Sequence, residues 1–190
     1  MGSPTMGKWR WAVAALPCLL AGCATTGAGG AVPPQLFDAD AHARFSFYFS
    51  CVSKTVNCEI VERQFDAWAT MHHVTMHTVA RDDPAFSAGK PSQPTEQAVP
   101  YRLAVRYSPE MAPSQNSLAG TGGTGLPMVS YAGTAQIFDS TSGSLLKTQS
   151  YHDQKMADQD HGAANPYLQA QVEAFLGHLD PAYAKARPSS

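Results

Sequence analysis

The sequence predicts an α+β fold: an open, mostly antiparallel sheet in the order β-α-β-β-β-β-α, with two helices packed on one face. Two observations carry that prediction. Two stretches repeat their apolar residues at helical spacing along a single stripe, and the strand-like stretches present one apolar face each. A helix with one stripe and a sheet with one apolar face bury both by packing together as two layers.

The chain opens on a secretory signal pattern. Lys8 and Arg10 supply positive charge, no acidic residue precedes Cys23, and Trp11 to Leu20 (WAVAALPCLL) forms an apolar run. That run is too short to span a bilayer, which takes about 20 apolar residues. Leu20-Ala21-Gly22-Cys23 follows it. This L-A-G-C sequence resembles the lipobox of bacterial prolipoproteins. The resemblance implies cleavage before Cys23, a diacylglycerol on its sulfur and a fatty acid such as palmitate on the new amine. Several acyl chains at about 0.8 kcal/mol per buried methylene make such an anchor effectively permanent. Ala24 and Thr25 come next, where an Asp would suggest retention in the inner membrane; the sorting pattern favours the outer membrane. Met6 is an alternative start, since MGKWRW begins an adequate signal by itself.

Residues 24–35 (ATTGAGGAVPPQ) have no charge and no apolar period, and read as a flexible tether. Arg44 to Cys51 (RFSFYFSC) alternates, with Phe45, Phe47, Phe49 and Cys51 on one face of a first strand. Ser53 to Asn57 makes a turn, and Asn57 is placed to cap the first helix. In that helix Glu59 and Glu62 occupy the first turn, while Val61, Phe65, Trp68 and Ala69 share a face. His73 to Val79 (HVTMHTV) reads as a second strand, with Val74, Met76 and Thr78 opposite His73, Thr75 and His77. Ala80 to Pro100 is a long irregular loop. Tyr101 to Tyr107 (YRLAVRY) is a third strand, with Leu103, Val105 and Tyr107 inward and Arg102 and Arg106 outward. A second long loop, Ser108 to Pro127, contains Gly120 to Gly125. Met128 to Asp139 and Leu145 to His152 form a hairpin about the turn residues of DSTSGS. Asn165 and Pro166 then start a last helix with the stripe Leu168, Val172, Phe175, Leu176 and Leu179, which Asp180-Pro181 stops. The domain organisation is thus a signal over 1–22, lipidated Cys23 and tether through 36, one domain over 37–181 and a loose tail over 182–190.

The lipobox, YRLAVRY, GTAQIFD, the turn STSG and a closing amphipathic helix together resemble a broad group of small outer-membrane lipoproteins of unknown function. That resemblance is architectural and implies no catalytic residues. The tryptophan-containing strand usual in that group after the hairpin turn is replaced here by Leu145-Leu146-Lys147-Thr148.

Removing residues 1–22 from the 190 takes two of the 13 basic residues and none of the 15 acidic ones. The remaining 168 residues are mildly acidic, which argues against nucleic acid or an anionic lipid surface as a main partner. Of four cysteines, Cys18 leaves with the signal and Cys23 takes lipid. Cys51 and Cys58 then read as a disulfide in an oxidising compartment; their six-residue spacing fits neither a C-x-x-C dithiol nor common zinc sites. Closing so short a loop contributes about 2.5 kcal/mol in the chain-entropy account.

Candidate chemistry is sparse. Gly120-Thr-Gly-Gly-Thr-Gly125 matches a dinucleotide fingerprint by letter, but Pro127 and a strand follow it in place of the helix that would aim amides at a pyrophosphate. On one strand face, His73 and His77 would stand about 13 Å apart; on a helix they would be one turn apart and able to chelate. A second polar cluster comprises His152, Asp153, Asp158, Asp160 and His161. His73, His77, His152 and His161 are therefore the metal candidates, although ligand spacing for a shared ion is missing. No G-x-S-x-G elbow occurs, and Phe45, Phe47, Phe49, Trp68 and Phe175 fall at core spacing. No cofactor is expected. The expected function is that of a non-enzymatic, periplasm-facing lipoprotein, held to the membrane by its N-terminal lipid and binding an envelope protein partner. The alternative is a lipoprotein that binds a small ligand or metal.

Overall fold

A computed structural model of the chain describes residues 33–94, 98–113, 127–156 and 165–186. The signal, Cys23 and most of the tether, the glycine-rich stretch 120–125, Asp158, Asp160 and His161, and the last four residues lie outside the described residues. From Pro34 onward the chain forms one compact unit.

Five strands and three helices follow the order β1 (Phe45–Cys51), α1 (Cys58–Met71), β2 (Met76–Thr78), β3 (Tyr101–Pro113), β4 (Pro127–Asp139), β5 (Leu145–Met156), α2 (Asn165–Leu179) and α3 (Pro181–Ala186). Spatially the sheet runs β2-β1-β3-β4-β5. The two long pairings, β3 with β4 and β4 with β5, are antiparallel. β1 lies between β2 and β3 and is parallel to both. The sheet is therefore open and mixed, and mostly antiparallel by paired length.

β1 carries the core. Its odd positions Phe45, Phe47 and Phe49 are at most 1% exposed and meet Phe65 and Trp68 of α1, with Phe45 stacked on Trp68 at 6.1 Å and Phe49 against Phe65 at 4.4 Å. Asn57 caps α1 by accepting the Glu59 amide at 3.0 Å, and Cys58, its first residue, is disulfide-bonded to Cys51 at the end of β1. Leu168 of α2 is buried, and Val172, Phe175, Leu176 and Leu179 pack with the β1 phenylalanines on the same side of the sheet. Phe175 sits so close to β4 that a Cβ on Gly133 would fall 2.4 Å from its ring. Glycine is required there by close approach, not by backbone angle.

The opposite face of the sheet is not bare, which corrects the one-sided layer expected from the sequence. Tyr48, Ala104 and Phe138 are covered by Val79, Ala85 and Phe86, from the segment read as an irregular loop. Its residues Pro84–Phe86 form a 3₁₀ turn capped by Asp83. Chain crossover rules explain the placement. α1 carries the chain from β1 outward to β2; the next connection returns past β1 to β3, so keeping the same hand puts it on the other face. β2, β3 and β4 consequently do not form a meander. Arg102 and Arg106 do point away from the helices, but they are roofed over. The Arg102 guanidinium lies 4.4 Å from the Phe138 ring and donates to the carbonyls of Gly89 (2.8 Å) and Ser87. Arg106 lies 4.1 Å over Phe86 and donates to the Arg81 carbonyl.

Three boundaries also differ. The second strand is only Met76–Thr78, because α1 ends in a Schellman turn: the His73 amide bonds Thr70 O, the Val74 amide bonds Ala69 O, and His73 has a left-handed φ of 56°. β3 continues through Pro113, past the expected start of the second loop. Beyond Tyr107 no β1 residue pairs with it, so Pro109 sits where the strand has one free side and a missing N–H is tolerated. Finally, the expected loose tail begins with α3. Asp180 Oδ1 accepts the amides of Ala182 (3.0 Å) and Tyr183 (3.2 Å), and Pro181 opens the new helix instead of merely ending the old one.

Two substitutions test this packing. Gly133→Ala should cost about 3 kcal/mol by overpacking, and Phe175→Leu added to it should recover part of that loss in a denaturant titration; simple additivity would contradict the contact. His73→Gly should stabilise by about 1 kcal/mol, since a left-handed residue with a side chain is strained there; unchanged or lower stability in the same titration would contradict the turn.

Candidate functional site

The helices leave a cleft of about 400 Å³ between α1 and the α2–α3 corner, lined by Gln64, Trp68, Met71, Val172, Leu176 and Tyr183 among others. The helical stripes explain it. The Trp68 and Leu176 side chains are sunk almost completely into the core, whereas Met71, one turn further along α1, is 57% exposed at the rim.

Beside Trp68, a buried carboxylate joins the two ends of the helical layer. Asp180 is 3% exposed. Its Oδ2 accepts from His72 Nε2 at 2.9 Å and from Trp68 Nε1 at 3.4 Å, while Oδ1 caps α3. Phe37, at the start of the domain, closes over His72 with ring centroids 4.7 Å apart and over Trp68 at 6.4 Å. An Asp-His pair of this kind can orient an imidazole for proton transfer. Here the imidazole is walled by Phe37 and Trp68. The arrangement clasps α1, α3 and the N-terminal segment together. In the sequence His72 has no assigned role and Asp180 reads only as a helix stop; 108 residues separate the partners, and no local pattern signals such a pair.

The three described histidine candidates, His73, His77 and His152, do not converge. His73 occupies the exposed turn after α1. His77 is in β2, stacked on Tyr48 at 5.1 Å on the face away from the helices. His152 is in β5, at the other edge of the sheet. Four strand spacings put these edges about 19 Å apart, so His77 and His152 cannot share an ion. A different trio, Asp38, Asp40 and His42, brings exposed donor atoms within 4.8 Å of one another. Asp38 Oδ1 already accepts the Asp40 and His42 amides at 3.0 and 2.8 Å, which makes this a hydrogen-bonded turn.

Other interior polar groups divide between those that fasten the fold and those without a hydrogen-bond partner, among them Gln64 Oε1, Tyr107 Oη and Gln171 Oε1. Gln171 is fully buried and donates from Nε2 to Val129 O at 2.8 Å. Burial raises the pKa values of Tyr107, Tyr131 and Tyr151, with the Asp153 charge adding to the first two, so all three stay neutral phenols around Phe175. On the far face Asp83 fastens the return connection. Burial works to raise its pKa, but the Ser92 hydroxyl, the Ala85 and Ser92 amides and the Arg102 charge outweigh it and hold the carboxyl below its ordinary value.

No protein-family model matches the chain, and no curated protein matches its sequence. Solved structures with a similar arrangement include a neuraminyllactose-binding haemagglutinin homologue from Helicobacter pylori, at 8% identity over 83% of this chain and 89% of that one, with a TM-score of 0.47. A minor lipoprotein from Acinetobacter baumannii is 14% identical over 75% of this chain and 97% of its own, TM-score 0.36. A lipoprotein from Neisseria meningitidis is 11% identical over 70% and 97%, TM-score 0.37. At these scores the likeness carries no argument about activity.

The depressed Asp83 pKa has a consequence for acid stability. A carboxyl whose folded pKa lies below its unfolded one stabilises the fold above the unfolded value and loses that contribution as pH falls through the folded one. Asp83→Asn should therefore lower stability at neutral pH and flatten the loss below about pH 4, the ordinary carboxylate range. Urea titrations across that range check it; parallel curves for the two proteins would contradict the assignment.

Proposed function

We propose that the protein is a membrane-anchored envelope lipoprotein, facing the periplasm from the outer membrane, that acts without catalysis by binding a protein partner or supporting an envelope assembly. The observation that carries this is the position of Leu20-Ala21-Gly22-Cys23 a short stretch ahead of Leu36, the point at which the chain first packs on the core. No helix among the described residues is long and apolar enough to cross a membrane, so a lipid on Cys23 would be the means of attachment for this domain. The buried charged groups support a non-catalytic role: Asp180, Asp83 and Arg102 each spend their hydrogen bonds on holding segments together.

The helical cleft favours a second reading, binding of a small apolar ligand. Its volume is in the range of small-molecule sites, and its wall includes Trp68. The chain's other two tryptophans, Trp9 and Trp11, precede Cys23, so fluorescence of the processed protein reports on that wall alone.

Cys23→Ser should abolish labelling by a radioactive fatty acid and release the protein from the membrane fraction. Labelling that survives the substitution would overturn the anchor. Cross-linking in intact envelopes should recover a specific protein with the anchored chain. A stoichiometric small molecule in the purified protein, with Trp68 emission shifting on its removal and no protein recovered, would select the second reading.

A further inference from the structure

β5 forms the edge of the sheet, and among the described residues nothing pairs with its outer side. It is 12 residues long and contains no proline, unlike the three-residue β2 at the opposite edge. Leu145, Leu146 and Met156 stand 51%, 46% and 58% exposed along it. From Lys147 on, past a bulge at its start, a long edge of this kind is a template for another strand. The question is which strand it fits.

We infer that β5 pairs antiparallel with β5 of a second copy of this chain, about a two-fold axis at Ser150, joining two five-stranded sheets into one. The charge pattern fixes the register. Lys147, Gln149, Tyr151, Asp153 and Lys155 pair with Ile137, Ala135, Gly133, Tyr131 and Val129 of β4, and so lie on the helix-covered face; Thr148, Ser150, His152 and Gln154 lie on the other. Side chains of two copies oppose each other only in registers that keep these faces aligned. Centred on Ser150, Lys147 opposes Asp153 of the second copy, and symmetry repeats the pair, so two oppositely charged pairs flank the axis. Gln149 then faces Tyr151, and Thr148 faces His152. Sliding the centre to Tyr151 sets Lys147 against Lys155, a like-charge opposition that destabilises a sheet. Sliding it to Gln149 sets Lys147 against Tyr151 and pairs no opposite charges. Of the three registers that keep nearly the whole edge paired, only the one at Ser150 matches charge with charge.

The exposed positions of these residues make the surface testable without disturbing the core. Lys147 is exposed, Asp153 is half-buried at the edge, and the one hydrogen bond described for the Asp153 carboxylate is from the adjacent Gln154 amide. An isologous contact of this type also closes on itself, which limits association to a dimer and prevents open-ended strand addition.

The test uses the full chain in its own membranes, with Ser150→Cys or Thr148→Cys introduced, mild oxidation, and a non-reducing gel read against the unsubstituted chain under the same oxidant. Ser150→Cys should give a homodimer; Thr148→Cys should give at least tenfold less, because its two copies would sit four residues apart along the strands, about 13 Å. In the Ser150→Cys background, Lys147→Asp alone or Asp153→Lys alone should cut the cross-link at least tenfold, and the two together should restore it. Resistance of Cys51 and Cys58 to alkylation verifies that each variant is folded. Equal cross-linking at 148 and 150, no homodimer at 150, indifference to either charge reversal, or a cross-link to a different protein would each overturn the inference. None of these outcomes depends on the identity of any other partner, and the Cys23→Ser labelling experiment reports on the anchor separately.

Discussion

Phe175 descends from α2 onto the backbone of β4 at the single point where no side chain stands in the way. Around Gly133 its ring meets Phe65 of α1 at 5.8 Å, Tyr107 of β3 and Tyr151 of β5 each at 5.5 Å, and Tyr131 of β4 at 6.2 Å, all edge-on. Full burial of such a ring contributes on the order of 2–3 kcal/mol by area alone, and edge-to-face partners add to it. Its larger effect is geometric. The depth at which α2 sits sets where Leu176 and Leu179 reach the core, and hence where Asp180 can meet His72 and Trp68. α1 and α2 are locked to each other through the ring they share with the sheet.

The second constraint is the central place of β1. With parallel neighbours on both sides, it cannot be reached by hairpins, and each connection has to cross a face. α1 takes one face and residues 79–94 take the other. That explains why β1 is buried on both sides, from Phe47 and Phe49 on one to Tyr48 and Ser50 on the other. It also explains why a segment without regular structure is so heavily fastened: Tyr48 donates to Gln93 O at 2.7 Å, Arg102 to Gly89 O and Ser87 O, and the Ser92 hydroxyl to Asp83. Even the β4–β5 turn abuts it. Gly143, with φ of 70°, leaves room for Ala88 O where a Cβ would stand 2.7 Å away. A loop that replaces a helical layer has to supply by hydrogen bonds what it lacks in apolar stripe.

Legibility in the sequence followed the range of the interaction. Period and caps are local, and the five strands, both long helices, the Asn57 cap and the hairpin at Asp139 were all readable from neighbouring residues. Cys51 and Cys58 were readable because elimination left two cysteines close in the chain, and the structure bonds them. What escaped was non-local or against type. The left-handed His73 occupies a position that usually takes glycine, so the strand appeared to begin three residues early. Ala85 and Phe86 carry too few apolar residues to show a period, yet they roof the second face. The Asp180-His72-Trp68 clasp joins residues more than a hundred positions apart, and neither end has a motif. The order of strands, with β1 between β2 and β3, is likewise invisible to a pattern read along one strand at a time.

These features bear on where function can reside. The buried Asp180, Asp83 and Arg102 side chains fasten one segment to the next, and the helix-covered face of the sheet is filled by aromatic rings. What remains outward is the rim of the α1–α2 cleft with Met71, and the edge of β5 with its alternating Lys147, Asp153 and Lys155. Tethering by a lipid would confine copies to a plane and raise their effective concentration for one another, so an edge contact too weak to hold in dilute solution gains most where the chain is anchored. Edge strands persist in stable proteins when they are short, blunted or occupied. β2 meets the first condition. β5 is long and free of proline, its bulge lies at its start beside Leu146, and its protection rests on Lys147 and Lys155; a second copy that sets Lys147 against Asp153 turns that protection into a pairing code.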